Sequence, residues 1–124
     1  MGPAAKQHEN TYFRRQFPRR AMKKKVGILN DGSYFVADTY EIGEGGLAIV
    51  SEFVMTQGHK LVVSFQIPGG DFVFLRATIL STKKHENGTS VIHGLSFDEI
   101  AFSIKRQIRA YVSSREGGIK DFKG

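Results

Sequence analysis

The stretch Val26-Gly27-Ile28-Leu29-Asn30-Asp31-Gly32-Ser33-Tyr34-Phe35-Val36-Ala37-Asp38-Thr39-Tyr40 decides the fold. Two apolar runs flank Asn-Asp-Gly-Ser, and Asp-Gly is among the strongest short signals for a tight hairpin because both central positions tolerate positive φ. The returning run is rich in aromatic and β-branched residues, which pack well on a pleated surface. A β-hairpin is therefore expected, with strands over residues 26–29 and 34–40.

Forward of the hairpin, Glu41-Ile42-Gly43-Glu44-Gly45-Gly46 is rich in glycine and reads as a loop rather than a regular element. Strands are then expected over Leu47–Ser51, Lys60–Ile67, Phe72–Thr82 and Ser90–Phe97, with turns at Pro68-Gly69-Gly70-Asp71 and Lys83–Gly88. After Phe97 the period changes. Ala101, Ile104, Ile108, Tyr111 and Val112 recur at helical spacing, while Lys105, Arg106 and Arg109 lie off that stripe. Asp98 or Ser96 is the expected cap, and Gly117-Gly118 the expected release. Six short antiparallel strands followed by one helix describe a mainly β fold: a small six-stranded antiparallel β-barrel with a C-terminal α-helix.

Composition narrows the classes. A chain of 124 residues, 40% apolar, supports one domain and one core. Cysteine is absent, which removes disulfides and thiolate zinc sites. His8, His59, His85 and His93 lack ligand spacing, so no metal is expected. There is no serine elbow, no cysteine nucleophile and no Lys-Ser/Thr after the glycines, so neither an enzyme nor a P-loop is expected. Glu41 and Glu44 could be imagined as a catalytic pair, yet two acids in a glycine loop are more commonly solvated. No apolar run reaches membrane-span length and no secretory signal is visible, so the expected location is cytoplasmic.

Backward of the hairpin lies Phe13-Arg14-Arg15-Gln16-Phe17-Pro18-Arg19-Arg20-Ala21-Met22-Lys23-Lys24-Lys25. Seven cations and no acid fall between Arg14 and Lys25, and with a net charge of +6 the rest of the chain is nearly neutral, 11 basic against 12 acidic residues. Pro18 lacks an amide donor and pushes Phe17 toward extended geometry, so an extended arm is expected in place of a helix. Such a block stays solvated, and mobile, until something anionic meets it.

Two segments taken together carry more information than either alone. Arg15-x-x-x-Arg19 precedes the first strand, and the acid-Ile-Gly-Glu-Gly-Gly-Leu segment from Glu41 follows about twenty residues later. This combination resembles the PilZ domain family, bacterial receptors for cyclic di-GMP, which carry Arg-x-x-x-Arg on an arm entering a β-barrel and Asp/Asn-x-Ser-x-x-Gly on a barrel loop. Arg15 and Arg19 match the first motif, with Arg14 and Arg20 beside it. In the second, Gly46 matches, Glu41 stands for Asp/Asn and Gly43 for Ser. Gly94-Leu95-Ser96-Phe97 resembles the family's last strand, and the segment from Arg106 to Tyr111 its terminal helix.

The small, polar residues 1–12 read as a flexible leader and 116–124 as a flexible tail, and the resemblance spans a PilZ-like domain over 13–115. It implies cyclic di-GMP as ligand, held by Arg14, Arg15, Arg19, Arg20, Glu41, Gly43, Gly45 and Gly46, and a downstream protein partner in motility, secretion or signalling. The chemistry suits that ligand: an arginine fork engages phosphate or a guanine O6/N7 edge bidentately, and glycines let backbone approach closely. Replacing a hydroxyl with Gly43 forfeits about 0.5–1.5 kcal/mol, against about 1.5–3 kcal/mol for each charge-assisted arginine bond. Two other readings remain open. One is a degenerate PilZ domain acting as a protein-interaction adaptor without nucleotide. The other, weaker, is a nucleic-acid binder, for which basic and aromatic residues spread over a sheet face are missing.

Overall fold

The computed structural model describes residues 17–114. Seven strands and one helix follow in order: β1 (Arg19–Ala21), β2 (Lys25–Asn30), β3 (Ser33–Gly43), β4 (Gly46–Ser51), β5 (Lys60–Gln66), β6 (Phe72–Lys84), β7 (Val91–Phe97) and α1 (Phe102–Ser113). The Asp31-Gly32 turn has φ of 53° and 81°, the left-handed geometry that its residue types accommodate. All pairings are antiparallel, in the order β3-β2-β5-β6-β7-β4, and β4 returns to pair with β3. Six strands thus close a barrel, as the strand pattern implies, with β1 as a seventh strand outside it. Closure leaves these six strands without free edges.

Alternation fills the interior. Val26, Ile28, Leu61, Val63, Phe65, Val73, Leu75, Ala77, Ile79, Leu95 and Phe97 point inward and are buried. The helix covers one end of the barrel with Ile108 and Val112, and Ile104 and Tyr111 pack beside them. Among the described residues no helix is long and apolar enough to cross a membrane.

Three local expectations are corrected. Glu41-Ile42-Gly43 continues β3 and Gly46 begins β4, so only Glu44 and Gly45 lie between strands. Cross-strand pairing on both edges of β3 outweighs the weak strand preference of glycine. The helix begins after Ala101 with no side-chain cap. Ser96 lies within β7, and the Asp98 carboxylate is engaged elsewhere, accepting from Thr78 Oγ1 (2.6 Å) and Lys60 Nζ (3.2 Å). The third concerns the arm. From Arg19 onward it is a docked strand, because its backbone pairs with β3 and its cations find partners there. The sequence's Gly117-Gly118 release lies outside the described residues.

β1 and β2 occupy the same edge of β3, one after the other. Arg19–Ala21 pairs with Glu41–Gly43, and Lys25–Asn30 with Ser33–Asp38. Over Met22–Lys24 the ladder breaks and the Met22 side chain enters the core. Thr39, itself buried, repairs the break: its hydroxyl donates to the Met22 carbonyl (2.6 Å) and accepts from the Lys24 amide (2.8 Å). His93 is also fully buried, with Nε2 accepting from the Met55 amide (3.2 Å) and Nδ1 3.0 Å from Thr82 Oγ1. It pins the Phe53–Met55 loop to the barrel.

Thr39→Val keeps the shape and strands two backbone groups, so it is expected to cost about 1–3 kcal/mol and lower Tm by about 4–8 °C per kcal/mol. Amide exchange in β1 should accelerate more than in β5 or β6.

The Thr78 hydrogen bond, reinforced by Lys60, holds the Asp98 carboxyl below its usual range despite partial desolvation. A depressed folded-state pKa contributes stability that is complete above the ordinary aspartate value and lost as pH falls through the folded value. Asp98→Asn is therefore expected to lower Tm near neutral pH, and the gap to the unmodified protein should close under acid conditions below the ordinary aspartate range.

Candidate functional site

Strand alternation sorts the arm's arginines onto opposite faces. Arg19 stands opposite Gly43, Arg20 opposite Ile42 and Ala21 opposite Glu41. Positions 41 and 43 share one face of β3, so Arg19 lies on the face carrying Glu41 and Gly43. There Arg19 Nη1 donates to Glu41 Oε2 at 2.8 Å, both side chains partly exposed. Arg19 of the first motif thus meets Glu41 and Gly43 of the second.

Arg20 takes the other face, beside buried Ile42, and is held by α1. Its guanidinium donates to the Tyr111 carbonyl (2.9 Å) and lies 4.1 Å from the Tyr111 ring centroid. The Tyr111 hydroxyl donates back to the Ala21 carbonyl (3.1 Å). Arg20 thus fastens the arm to the helix. Arg14 and Arg15 lie outside the described residues.

The three motif glycines answer to three close approaches. A Cβ on Gly43 would lie 2.8 Å from the Pro18 carbonyl oxygen, so the arm's backbone occupies the volume a serine would need. A Cβ on Gly45 would lie 3.3 Å from the Phe17 ring. Gly46 faces Ser96 in β7, and its Cβ would run into the Leu95 carbonyl, so the motif's last glycine is required by the β4–β7 ladder itself.

Glu44 is the residue the sequence reading misplaced. It is not solvated: only 6% of its surface is exposed, and Arg109 of α1 grips it bidentately, Nε to Oε2 at 2.9 Å and Nη2 to Oε1 at 3.0 Å. That bond and the Glu44 charge raise the Arg109 pKa further above its already high ordinary value. An arginine off the apolar stripe was the only sequence signal, and nothing in it named a partner 65 positions away. The Gly45 carbonyl accepts from the Phe97 amide at 3.0 Å, completing a turn tied to both β7 and α1.

Helix, arm and turn therefore form one unit. Arg20–Tyr111 links arm to helix, Glu44–Arg109 links turn to helix, and Arg19–Glu41 links arm to β3. Phe17 adds a contact, its ring centroid 5.7 Å from Lys105 Nζ. Among the described residues no three His, Asp or Glu side chains are placed to hold a metal ion.

Arg109→Met leaves the buried Glu44 carboxylate without its partner and is expected to lower Tm, by less than a fully buried pair would because Arg109 itself is half exposed. Adding Glu44→Gln should recover part of that loss in a double-mutant cycle. Gly43→Ser is expected to push the arm away from β3, seen as faster amide exchange at Arg19–Ala21 with little change in the barrel strands.

Comparison with known proteins agrees with this geometry. No curated protein sequence is matched. Among solved structures, Bacillus subtilis inhibitor of motility, MotI (DgrA), superposes with a TM-score of 0.74 at 19% identity, covering 84% of this chain and 52% of that one. The chain thus spans about half the length of MotI. The PilZ domain of Escherichia coli YcgR, solved with c-di-GMP, gives 0.69 at 14% identity, over 89% of this chain and 97% of that one. Borreliella burgdorferi PlzA, solved in complex with c-di-GMP, gives 0.60 at 17% identity, over 86% of this chain and 45% of that one. At these identities the likeness is one of fold. The PilZ domain family profile matches residues 13–114, most of the sequence and both motifs. The chain belongs to the PilZ domain family.

Proposed function

We propose that this chain is a cyclic di-GMP receptor module, not an enzyme, acting in the cytoplasm on a protein partner in motility, secretion or signalling. The observation that carries the reading is the shared face of Arg19, Glu41 and Gly43, which brings the arginine arm and the second motif to one place. Family membership supports it, as do the c-di-GMP complexes among the structural neighbours.

Arg19 presents a planar fork suited to a phosphate or to a guanine O6/N7 edge. Its ion pair with Glu41 is partly exposed, and such pairs contribute about 0–1 kcal/mol, so exchanging that partner for a ligand phosphate costs little against about 1.5–3 kcal/mol per charge-assisted bond. Glu41, once released, can accept from the N–H groups of a guanine edge. Arg15, four positions earlier in the motif, would supply a second fork, with Arg14 next to it in the sequence. Gly43 and Gly45 leave the backbone open to close approach once Pro18 and Phe17 withdraw.

The response would be a rearrangement of a docked arm. Withdrawal of Pro18 and Phe17 alters the arm's contacts with Lys105 and Tyr111, so the exposed side of α1 changes with the arm.

A second reading has an observation of its own. Arg19 is paired with Glu41, and the Pro18 carbonyl fills the place of the missing serine side chain, so the site closes on itself. That arrangement favours a degenerate domain serving as an adaptor without nucleotide.

Titration calorimetry with cyclic di-GMP at moderate salt separates the two. Saturable heat is expected, weakened at least about tenfold by Arg19→Ala, as the loss of one charge-assisted bond requires. Lys60→Ala should change nothing, and an unrelated oligonucleotide should not compete. Absence of both heat and thermal shift at high-micromolar nucleotide would leave the adaptor reading standing.

A further inference from the structure

Among the described residues, the barrel's outer surface carries an apolar face that neither β1 nor α1 covers. Two rows of outward-pointing residues cross the four neighbouring strands β3, β2, β5 and β6. One runs Val36–Gly27–Ser64–Phe74 and the other Tyr34–Leu29–Val62–Arg76. Phe72 extends the face, its ring edge-on to Phe74 at 5.4 Å between centroids. Phe74 is 70% exposed, Tyr34 65%, Val36 55%, Phe72 54% and Leu29 45%.

The area is large for a barrel of this size. Aromatic side chains carry about 150–250 Å² each, so Tyr34, Phe72 and Phe74 together present roughly 400 Å², and Val36 and Leu29 bring the face to roughly 500 Å². The largest apolar patch of a typical monomer is about 300–600 Å². A standard interface buries about 800 Å² per partner, somewhat over half of it non-polar. The face thus supplies about the whole apolar share of one side of a stable interface.

We propose that this face is covered by the same face of a second copy of the chain, forming a symmetric dimer. Shape is the first reason. The Tyr34 phenol lies over Gly27, where a Cβ would meet its hydroxyl and Ser64 Oγ (2.6 Å), so the ring levels the middle of the row. A sheet face filled in this way can pack on another sheet.

Register is the second reason. A two-fold axis parallel to the strands, between β2 and β5, sets Phe74 on the partner's Val36, Leu29 on the partner's Val62, and the small Ser64 on the partner's Gly27. The same operation sets the Arg76 guanidinium on the ring of the partner's Tyr34, a cation–π pair made twice.

Charge sets the salt dependence. The described part of the arm meets β3 at Glu41–Gly43, five or more residues beyond Val36, so it lies beyond the contact face, and Lys25 and Asp38 at the border neutralise each other at 2.8 Å. The axis parallel to the strands leaves both arms at one end of the dimer, so their mutual repulsion is screened, and assembly strengthened, as salt rises.

Sedimentation equilibrium of the nucleotide-free chain tests this independently of the receptor reading. From about 10 to about 500 μM, the range of a weak standard-size interface, the mass is expected to move from one chain to two. Phe74→Glu and Val36→Glu should each raise the dissociation constant at least tenfold while leaving Tm and the circular dichroism of the barrel unchanged. Phe102→Glu, on the helix, should leave assembly as it was. A single-chain mass at the highest concentration overturns the proposal. So does a dimer that survives both Phe74→Glu and Val36→Glu, or one that Phe102→Glu abolishes.

Discussion

Everything in this molecule hangs on β3. Its 11 residues are more than the hairpin alone uses, and both edges of the surplus are occupied. On one edge it pairs with β2 and then with β1; on the other it pairs with β4 and closes the barrel. The register that closes the barrel is therefore the register that seats the arm. A strand shifted by one residue would exchange the faces of Arg19 and Arg20 and would bury the wrong side of the sheet, so core and site are specified together.

The glycines of the second motif acquire different meanings in this frame. Gly46 serves the barrel, because β7 passes too close for any side chain. Gly43 and Gly45 serve the arm, whose Pro18 carbonyl and Phe17 ring rest against them. A serine at position 43 offers a hydroxyl to a ligand; a glycine there offers room to the arm's own backbone. Together with the Arg19–Glu41 pair, this makes a self-closed arrangement that any anion must open. The opening is cheap where the groups are exposed and dear where they are buried. Arg19–Glu41 is partly exposed, while Glu44 is buried beneath its arginine. Exposure thus makes the arm's ion pair weaker than the turn's.

The strands, the barrel and the existence of the helix were legible in the amino-acid order, because period-2 and period-3.6 patterns are local properties. The Asp31-Gly32 hairpin and the apolar stripe from Ile104 to Val112 needed no tertiary information. The helix start was not legible, because the Asp98 carboxylate is claimed by Thr78 and Lys60, residues of other strands. Nor was the extent of β3, since glycine's weak strand preference was overridden by partners on both edges.

The sequence by itself determined the two motifs, their order and the chemistry they can perform. Cation spacing and glycine placement are written in the chain, and with the barrel pattern they point to one family. Only the tertiary structure decided which arginine faces the second motif and which fastens the helix, since that follows from pairing partner and face. Only it decided that Glu44 is buried, because its partner Arg109 comes from the other end of the chain. Charge complementarity over such a separation leaves no local trace. It exists only once the barrel has closed and the helix has docked.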